Sequence, residues 1–188
     1  MEEVHLPSHK KKAYQEQSAL IFEDEASFRQ DSTLHRTWAH RGQRPLIPMT
    51  GQRYSIKIFG CVEIFSARFL YQRDQVFNAQ TYLGFLESIA TAYYPRKVLL
   101  IQDNAPYHKD GDVWTWFKEN RKWLSVYNLP PYSPEDNAAE PLWRHTRINA
   151  THNRYFKTED EILDSLTMTF RDIQKNPDQI RGYLAPFL

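Results

Sequence analysis

The sequence predicts an α/β domain built on a mixed sheet. Two observations carry that class. Strand-like apolar runs come first, two of them close together, and later runs alternate with segments of helical spacing. The most apolar run, Val98-Leu99-Leu100-Ile101, has the continuous centre of a strand covered on both faces. The length, 188 residues, fits one domain and suffices to bury a core without staples.

The elements follow in chain order. The segment around Lys10-Lys11-Lys12 is polar and reads as an exposed helix or arm, with residues 1–15 an N-terminal arm or helix remnant. Ala19-Leu20-Ile21-Phe22, closed by Glu23-Asp24-Glu25, reads as a short buried strand ending at Asp24. Residues 35–53 hold Trp38, Gly42, Pro45, Pro48 and Gly51 among Arg36, Arg41, Arg44 and Arg53, which predicts a long basic loop. Residues 54–64 and 67–72 are rich in Ile, Phe, Val and Tyr and predict an antiparallel strand pair.

Tyr82, Leu83, Leu86, Ile89, Ala90 and Tyr93 recur at helical spacing. The clearest strand, residues 97–103, is stopped by Asn104-Ala105-Pro106. A helix over 113–120 and a strand over 124–129 follow, then a connection stiffened by Pro130, Pro131 and Pro134. Helical patterning resumes near Asn137. Thr158 with Glu161 three residues on forms a capping box for the last helix, whose buried stripe is Ile162, Leu166, Phe170 and Ile173.

Composition excludes several classes. One cysteine, Cys61, rules out an internal disulfide framework and multi-cysteine zinc sites, and is consistent with a cytoplasmic setting. No apolar run reaches the roughly 20 residues that span a bilayer. The acidic start, Met-Glu-Glu-Val-His, lacks the apolar region of a secretory signal. The charge, 24 Lys+Arg against 23 Asp+Glu, argues against an autonomous nucleic-acid binder. That balance hides a local surplus: residues 118–157 carry seven Lys/Arg and four Asp/Glu, while 158–178 carry two and six. Phosphate-loop, zinc-protease and nucleophile-elbow motifs are missing.

Three acids stand at element edges: Asp24, Asp103 and Glu140. Singly, each has a plain reading. Asp24 can be a solvated turn acid, Asp103-Asn104 a common strand exit, and Glu140 a complement to a helix N-terminus. Together they fit the rule that functional groups gather beyond strand ends in open α/β sheets. Three converging carboxylates repel one another, and a hard divalent cation, Mg²⁺ or Mn²⁺, relieves the repulsion. Two such ions about 3.5–4 Å apart would clamp the attacking and leaving oxygens of a phosphoryl transfer.

The residues around these acids resemble known motifs. Phe22-Glu23-Asp24-Glu25-Ala26-Ser27-Phe28 resembles the first-aspartate motif of mariner-like transposases in their bacterial insertion-sequence branch. Asp103-Asn104-Ala105-Pro106-Tyr107-His108-Lys109 resembles the second, and the run from Leu129 through Pro134 and Glu140 to Trp143 resembles the third. The 37-position gap from Asp103 to Glu140 is typical of that Asp-Asp-Glu domain. The third motif departs at Asp136, Ala138 and Ala139, where the family has Leu, Pro and Ile, and Arg147 replaces a favoured lysine.

The resemblance implies a ribonuclease H-like fold, a mixed five-stranded sheet flanked by helices. It implies that Asp24, Asp103 and Glu140 are catalytic and hold two Mg²⁺ or Mn²⁺ ions, with His108, Asn104 and Asn137 as auxiliaries. It implies cut-and-paste movement of DNA, usually into TA, by a homodimer acting on terminal inverted repeats. The family's helix-turn-helix modules find no room in the first 15 or so residues, so a separate subunit or upstream frame is expected to supply them. Arg41, Arg44, Lys109, Arg144, Arg147 and Arg154 are the DNA-contact candidates. Trp38 and Gly42 lie in a loop, 35–53, that clamps protomers together in relatives. The plainer reading of Trp38 packs it over its own core, and Trp114, Trp116, Trp123 and Trp143 read as core. A DNA-binding remnant of a mobile element and an unrelated two-metal nuclease remain alternatives.

Overall fold

The computed structural model describes residues 6–31, 34–43, 45–49, 51, 53–131 and 133–188. A five-stranded mixed sheet forms the centre, in the order β3-β2-β1-β4-β5. Its strands are β1 (Ala19–Arg29), β2 (Ser55–Glu63), β3 (Phe69–Asp74), β4 (Val98–Gln102) and β5 (Leu124–Asn128). β1 runs antiparallel to β2 and parallel to β4, and β5 is parallel to β4.

Side chains alternate across each strand, so the sheet carries two cores. On one face, Leu20, Phe22, Ala26 and Phe28 of β1 and Leu99 and Ile101 of β4 pack against α4 (Ala139–Thr146), α5 (Glu159–Lys175) and α6 (Asp178–Leu184). On the other, Ala19, Ile21, Phe59, Cys61, Val98 and Leu100 pack against α2 (Ala79–Tyr93) and α3 (Gly111–Asn120). β4 is buried at every position, as its continuous apolar run predicts.

One expectation needs correction. β1 does not end at Asp24. Pairing with β2 continues to Arg29↔Ser55, whereas pairing with β4 stops at Phe22↔Ile101. The alternation Phe22, Asp24, Ala26, Phe28 sustains the strand past the acidic triplet, so Asp24 lies where one neighbouring strand has left off. Of the two alternatives for the N-terminal segment, the helix is present: α1 (Leu6–Glu16) buries Ala13 fully and His9 nearly so.

Thr158 caps α5 by accepting from the Glu161 N–H at 3.3 Å. The returning half of the expected box is displaced by one residue, because the Glu161 carboxylate takes the Lys157 N–H at 2.7 Å instead. Among the described residues, no helix is long and apolar enough to cross a membrane.

Candidate active site

The register of β1 and β4 builds the site. Phe22 pairs with Ile101. Two residues further along both strands, on the same face, come Asp24 and Asp103. Neighbouring strands lie about 4.7–4.9 Å apart, and carboxylate oxygens of Asp24, Asp103 and Glu25 all fall within 4.8 Å of one another. α4 lies over that same face and presents Glu140 from its first turn. Asp24, Asp103 and Glu140 line one cleft of about 560 Å³, with Asn104, Lys109, Leu129, Pro130 and Asn137 among its other walls.

Besides apolar packing, a polar contact ties α4 to β1. The Trp143 indole N–H donates to Asp24 Oδ2 at 3.1 Å. The ring can lie there because Gly60, opposite Asp24 on β2, has no side chain. A Cβ at Gly60 would stand 2.3 Å from Trp143 Cη2. Trp143 is core, as its spacing suggests, and it also bonds a catalytic candidate, which nothing in the linear sequence signals.

The departures in the third motif leave the start of α4 intact. Asn137 Oδ1 accepts the Ala139 N–H at 3.0 Å, and Ala138 and Ala139 are fully buried. Asn104 braces the opposite wall, donating to the Leu129 carbonyl at 2.6 Å and accepting from Asn128 at 3.2 Å.

The other face of β1 carries a polar cluster of which the sequence points to His108 but not to its partners Glu23 and Glu25. Glu23 and Glu25 alternate with Asp24 and reach toward the turn Pro106–Lys109, with Glu25 close enough to the strand end to stay near Asp24 and Asp103 as well. His108 is fully buried there. Its Nδ1 lies 3.2 Å from Asp103 Oδ1 and its Nε2 3.2 Å from Glu25 Oε1, with Glu23 at 3.8 Å. The Tyr107 hydroxyl also donates to Glu25. Glu23 is wholly buried, and neither of its carboxylate oxygens has a hydrogen-bond partner. The linear signal was three consecutive acids inside an apolar strand.

These contacts divide the acids electrostatically. Burial, then the neighbouring Glu25 and Glu140 charges, pushes Asp24 up to about 8. Burial alone would also raise Asp103, but hydrogen bonds from His108 and the Ala105 N–H hold it below the usual carboxylate range. Burial works against the His108 cation, yet its bonds to Asp103 and Glu25 and the Glu23 charge raise it to about 10. Burial and the Glu25 charge push Glu23 well up.

The remaining site candidates separate. Lys109 is exposed on the cleft wall, and Arg144 and Glu140 share an adjoining hollow. The Arg147 guanidinium stands 5.5 Å from the Phe28 ring centroid. Arg154 bonds Ser165 at 3.0 Å in a different hollow, beside His145 and Asp172. Arg41 is exposed in the long loop, and Arg44 lies outside the described residues. Trp38 is fully exposed, which overturns the reading that packs it over its own core. Leu34, Leu46 and Met49 are exposed beside it, so the described part of this loop has no core to join. Gly42 takes a φ of +83°, a turn conformation glycine adopts without strain.

The donor set fits a hard divalent cation: carboxylates that crowd one cleft and, among the described residues, no lysine or arginine ion-paired to them.

Comparison with known proteins agrees with this geometry. The DDE superfamily endonuclease family matches residues 19–163. The uncharacterized 39 kDa protein of insertion element IS630 from Shigella sonnei is 27% identical over 164 residues, covering 87% of this chain and 48% of that protein. The Tcb2 transposase of Caenorhabditis briggsae is 26% identical over 169 residues, covering 81% of this chain and 61% of the relative. The chain therefore spans about half to three-fifths of these relatives. The Mos1 mariner paired end complex with Mn superposes with a TM-score of 0.64 at 16% identity, covering 96% of this chain and 57% of that one. The Mos1 transposase catalytic domain with raltegravir and Mn gives 0.57 at 14% identity, covering 97% and 86%. These likenesses establish the ribonuclease H-like fold, and the family match over most of its length makes this chain a member of the DDE superfamily endonucleases.

Proposed function

We propose that this chain is the catalytic domain of a mariner-like transposase. It hydrolyses phosphodiester bonds at the ends of a mobile element and transfers the freed strands into target DNA by cut-and-paste, at TA. The observation that carries this reading is the convergence of Asp24, Asp103 and Glu140 on one cleft from two parallel strands and a helix. Two Mg²⁺ or Mn²⁺ ions would be held by these three side chains. Bound there, the ions would offset the negative charge of a phosphate and stabilise its attacking and leaving oxygens.

The chain's own residues divide the remaining work. His108 keeps Asp103 ionised and ready to ligate. Asp24, raised to about 8, would have to give up a proton to hold a cation. Trp143 occupies one side of Asp24 Oδ2 and fixes α4, and with it Glu140, against β1. Lys109 on the cleft wall and Arg144 in the adjoining hollow stand where DNA phosphates would approach. The working form in this reading is a homodimer on paired element ends in the cytoplasm, with Trp38 and the described part of its loop reaching the partner.

The test is Asp103→Asn, assayed for metal-dependent cleavage of element-end DNA. Loss of cleavage with retained folding is expected. Undiminished cleavage would refute the assignment.

A further inference from the structure

The outer edge of β5 carries a feature that the cleft chemistry does not use. β5 is the last strand of the sheet, so only one side of it pairs. A groove of about 470 Å³ follows the other side, formed by residues 124–127, Trp114 and Phe117, with Lys118 and Arg121 among its walls. A hollow of about 210 Å³ continues from it past the start of β5. It shares Arg121 and Ser125 and adds Lys12, Lys97 and Lys122. At its far end β5 runs into Leu129 and Pro130, which line the catalytic cleft. Groove and hollow are thus continuous, and the cleft lies at the other end of the same strand, some 16 Å long at about 3.3 Å per residue.

Charge along the groove and hollow departs from that of the whole chain. In a protein of net charge +1, Lys12, Lys97, Lys118, Arg121 and Lys122 face them, against one lining acid, Glu16. Glu16 is itself engaged by Lys97 at 3.4 Å. Lys12 is held against the groove, donating to the Tyr127 hydroxyl at 3.2 Å. Lysines commonly guard edge strands against unwanted pairing. A guard requires charge alone, without an aromatic-lined groove beside it. Cations beside aromatic faces are the means by which proteins track a nucleic-acid strand.

We propose that this edge groove carries a DNA strand that extends beyond the catalytic cleft, with its phosphates on Arg121 and Lys122 and its bases toward Trp114. The proposal rests on the reading that the cleft acts on DNA, but not on cleavage. It is tested by fluorescence anisotropy of the chain with labelled oligothymidylate across a salt series, without divalent ions. Arg121→Glu/Lys122→Glu should bind at least tenfold more weakly. Its log affinity against log salt should flatten by about 1.4, at about 0.7 per phosphate contact on a single strand. Arg121→Gln/Lys122→Gln, which keeps side-chain size, should flatten the slope by the same amount.

Arg171→Gln, exposed on α5 away from groove and cleft, should bind like the unaltered chain, and because neither a divalent ion nor cleavage enters this assay, a failure of the catalytic reading and a failure of the groove give different results. Unchanged affinity and slope in both double variants would overturn the proposal. So would retained DNA affinity with altered self-association by light scattering, which would make the edge a protein-docking surface.

Discussion

Gly60→Ala puts a methyl group where the Trp143 ring now lies. The added Cβ would meet Trp143 Cη2 at 2.3 Å and Cζ2 at 2.8 Å, with Phe69 Cε2 at 3.2 Å behind. Ordinary contact begins near 3.4 Å, so the ring must retreat by 1.1 Å or more, the difference between 3.4 and 2.3 Å. Its N–H is at present 3.1 Å from Asp24 Oδ2, and a retreat of that size breaks the bond. Overpacking costs about 1–3 kcal/mol, and a lost hydrogen bond to a carboxylate about 1.5–3 kcal/mol. A combined loss of about 3 kcal/mol lowers the unfolding midpoint by roughly 6–12 °C in a domain of this size.

The displaced helix also carries Glu140, so catalysis should suffer more than packing alone explains. Trp143→Phe separates the two effects, since it keeps most of the ring and removes the N–H. It should leave the midpoint closer to that of the unaltered chain yet raise the Mg²⁺ half-saturation of element-end cleavage about tenfold, the equivalent of about 1.4 kcal/mol. The measurements are thermal unfolding followed by circular dichroism and a Mg²⁺ titration of cleavage. If Gly60→Ala melts normally and both variants keep the original half-saturation, the coupling of α4 to β1 through Trp143 is wrong.

Three further outcomes are expected. Because Asp24 titrates near 8, Mg²⁺ must displace a proton at neutral pH, and its half-saturation should fall about tenfold between pH 6 and pH 7; a flat profile in calorimetric titrations would count against the buried, protonated Asp24. His108, raised from its ordinary 6.5 to about 10, contributes stability that is fully present below pH 6.5 and is lost as pH rises through 10. His108→Gln should be less stable than the original chain in urea at pH 6.5 by about 3–5 kcal/mol, the usual cost of removing one partner of a buried ion pair, and the gap should close by pH 10. Thr158→Ala removes the N-cap of α5 and should cost about 1 kcal/mol in the same urea assay with no change in metal dependence.

The strand and helix order was legible because hydrophobic periodicity survives in each segment: the continuous run of β4, the 3.6-residue spacing of α2, and the stripe and cap of α5. The three acids were legible through their motifs, since strand ends and helix starts are local features. What escaped was whatever depends on two segments meeting. Asp24 was placed at a strand end because the acids Glu23, Asp24 and Glu25 look like a solvated turn. In the fold the strand continues, because β2 stays paired with it while β4 drops away. Trp38 was expected to be buried because it is large and apolar, but burial needs a surface to pack on, and the described part of its loop has none.

The sequence by itself determined the element types, the mixed sheet and the three candidate carboxylates, because local pattern and motif encode them. Only the tertiary structure decided how those carboxylates differ. The register that brings Phe22 level with Ile101 sets Asp24 beside Asp103. The missing side chain of Gly60 lets Trp143 reach Asp24, and the opposite face of the same strand sends Glu23 and Glu25 to His108. One aspartate is thereby pushed up by burial and the other held down by hydrogen bonds. That difference depends on desolvation and on contacts between residues far apart in the chain, which residue order does not specify.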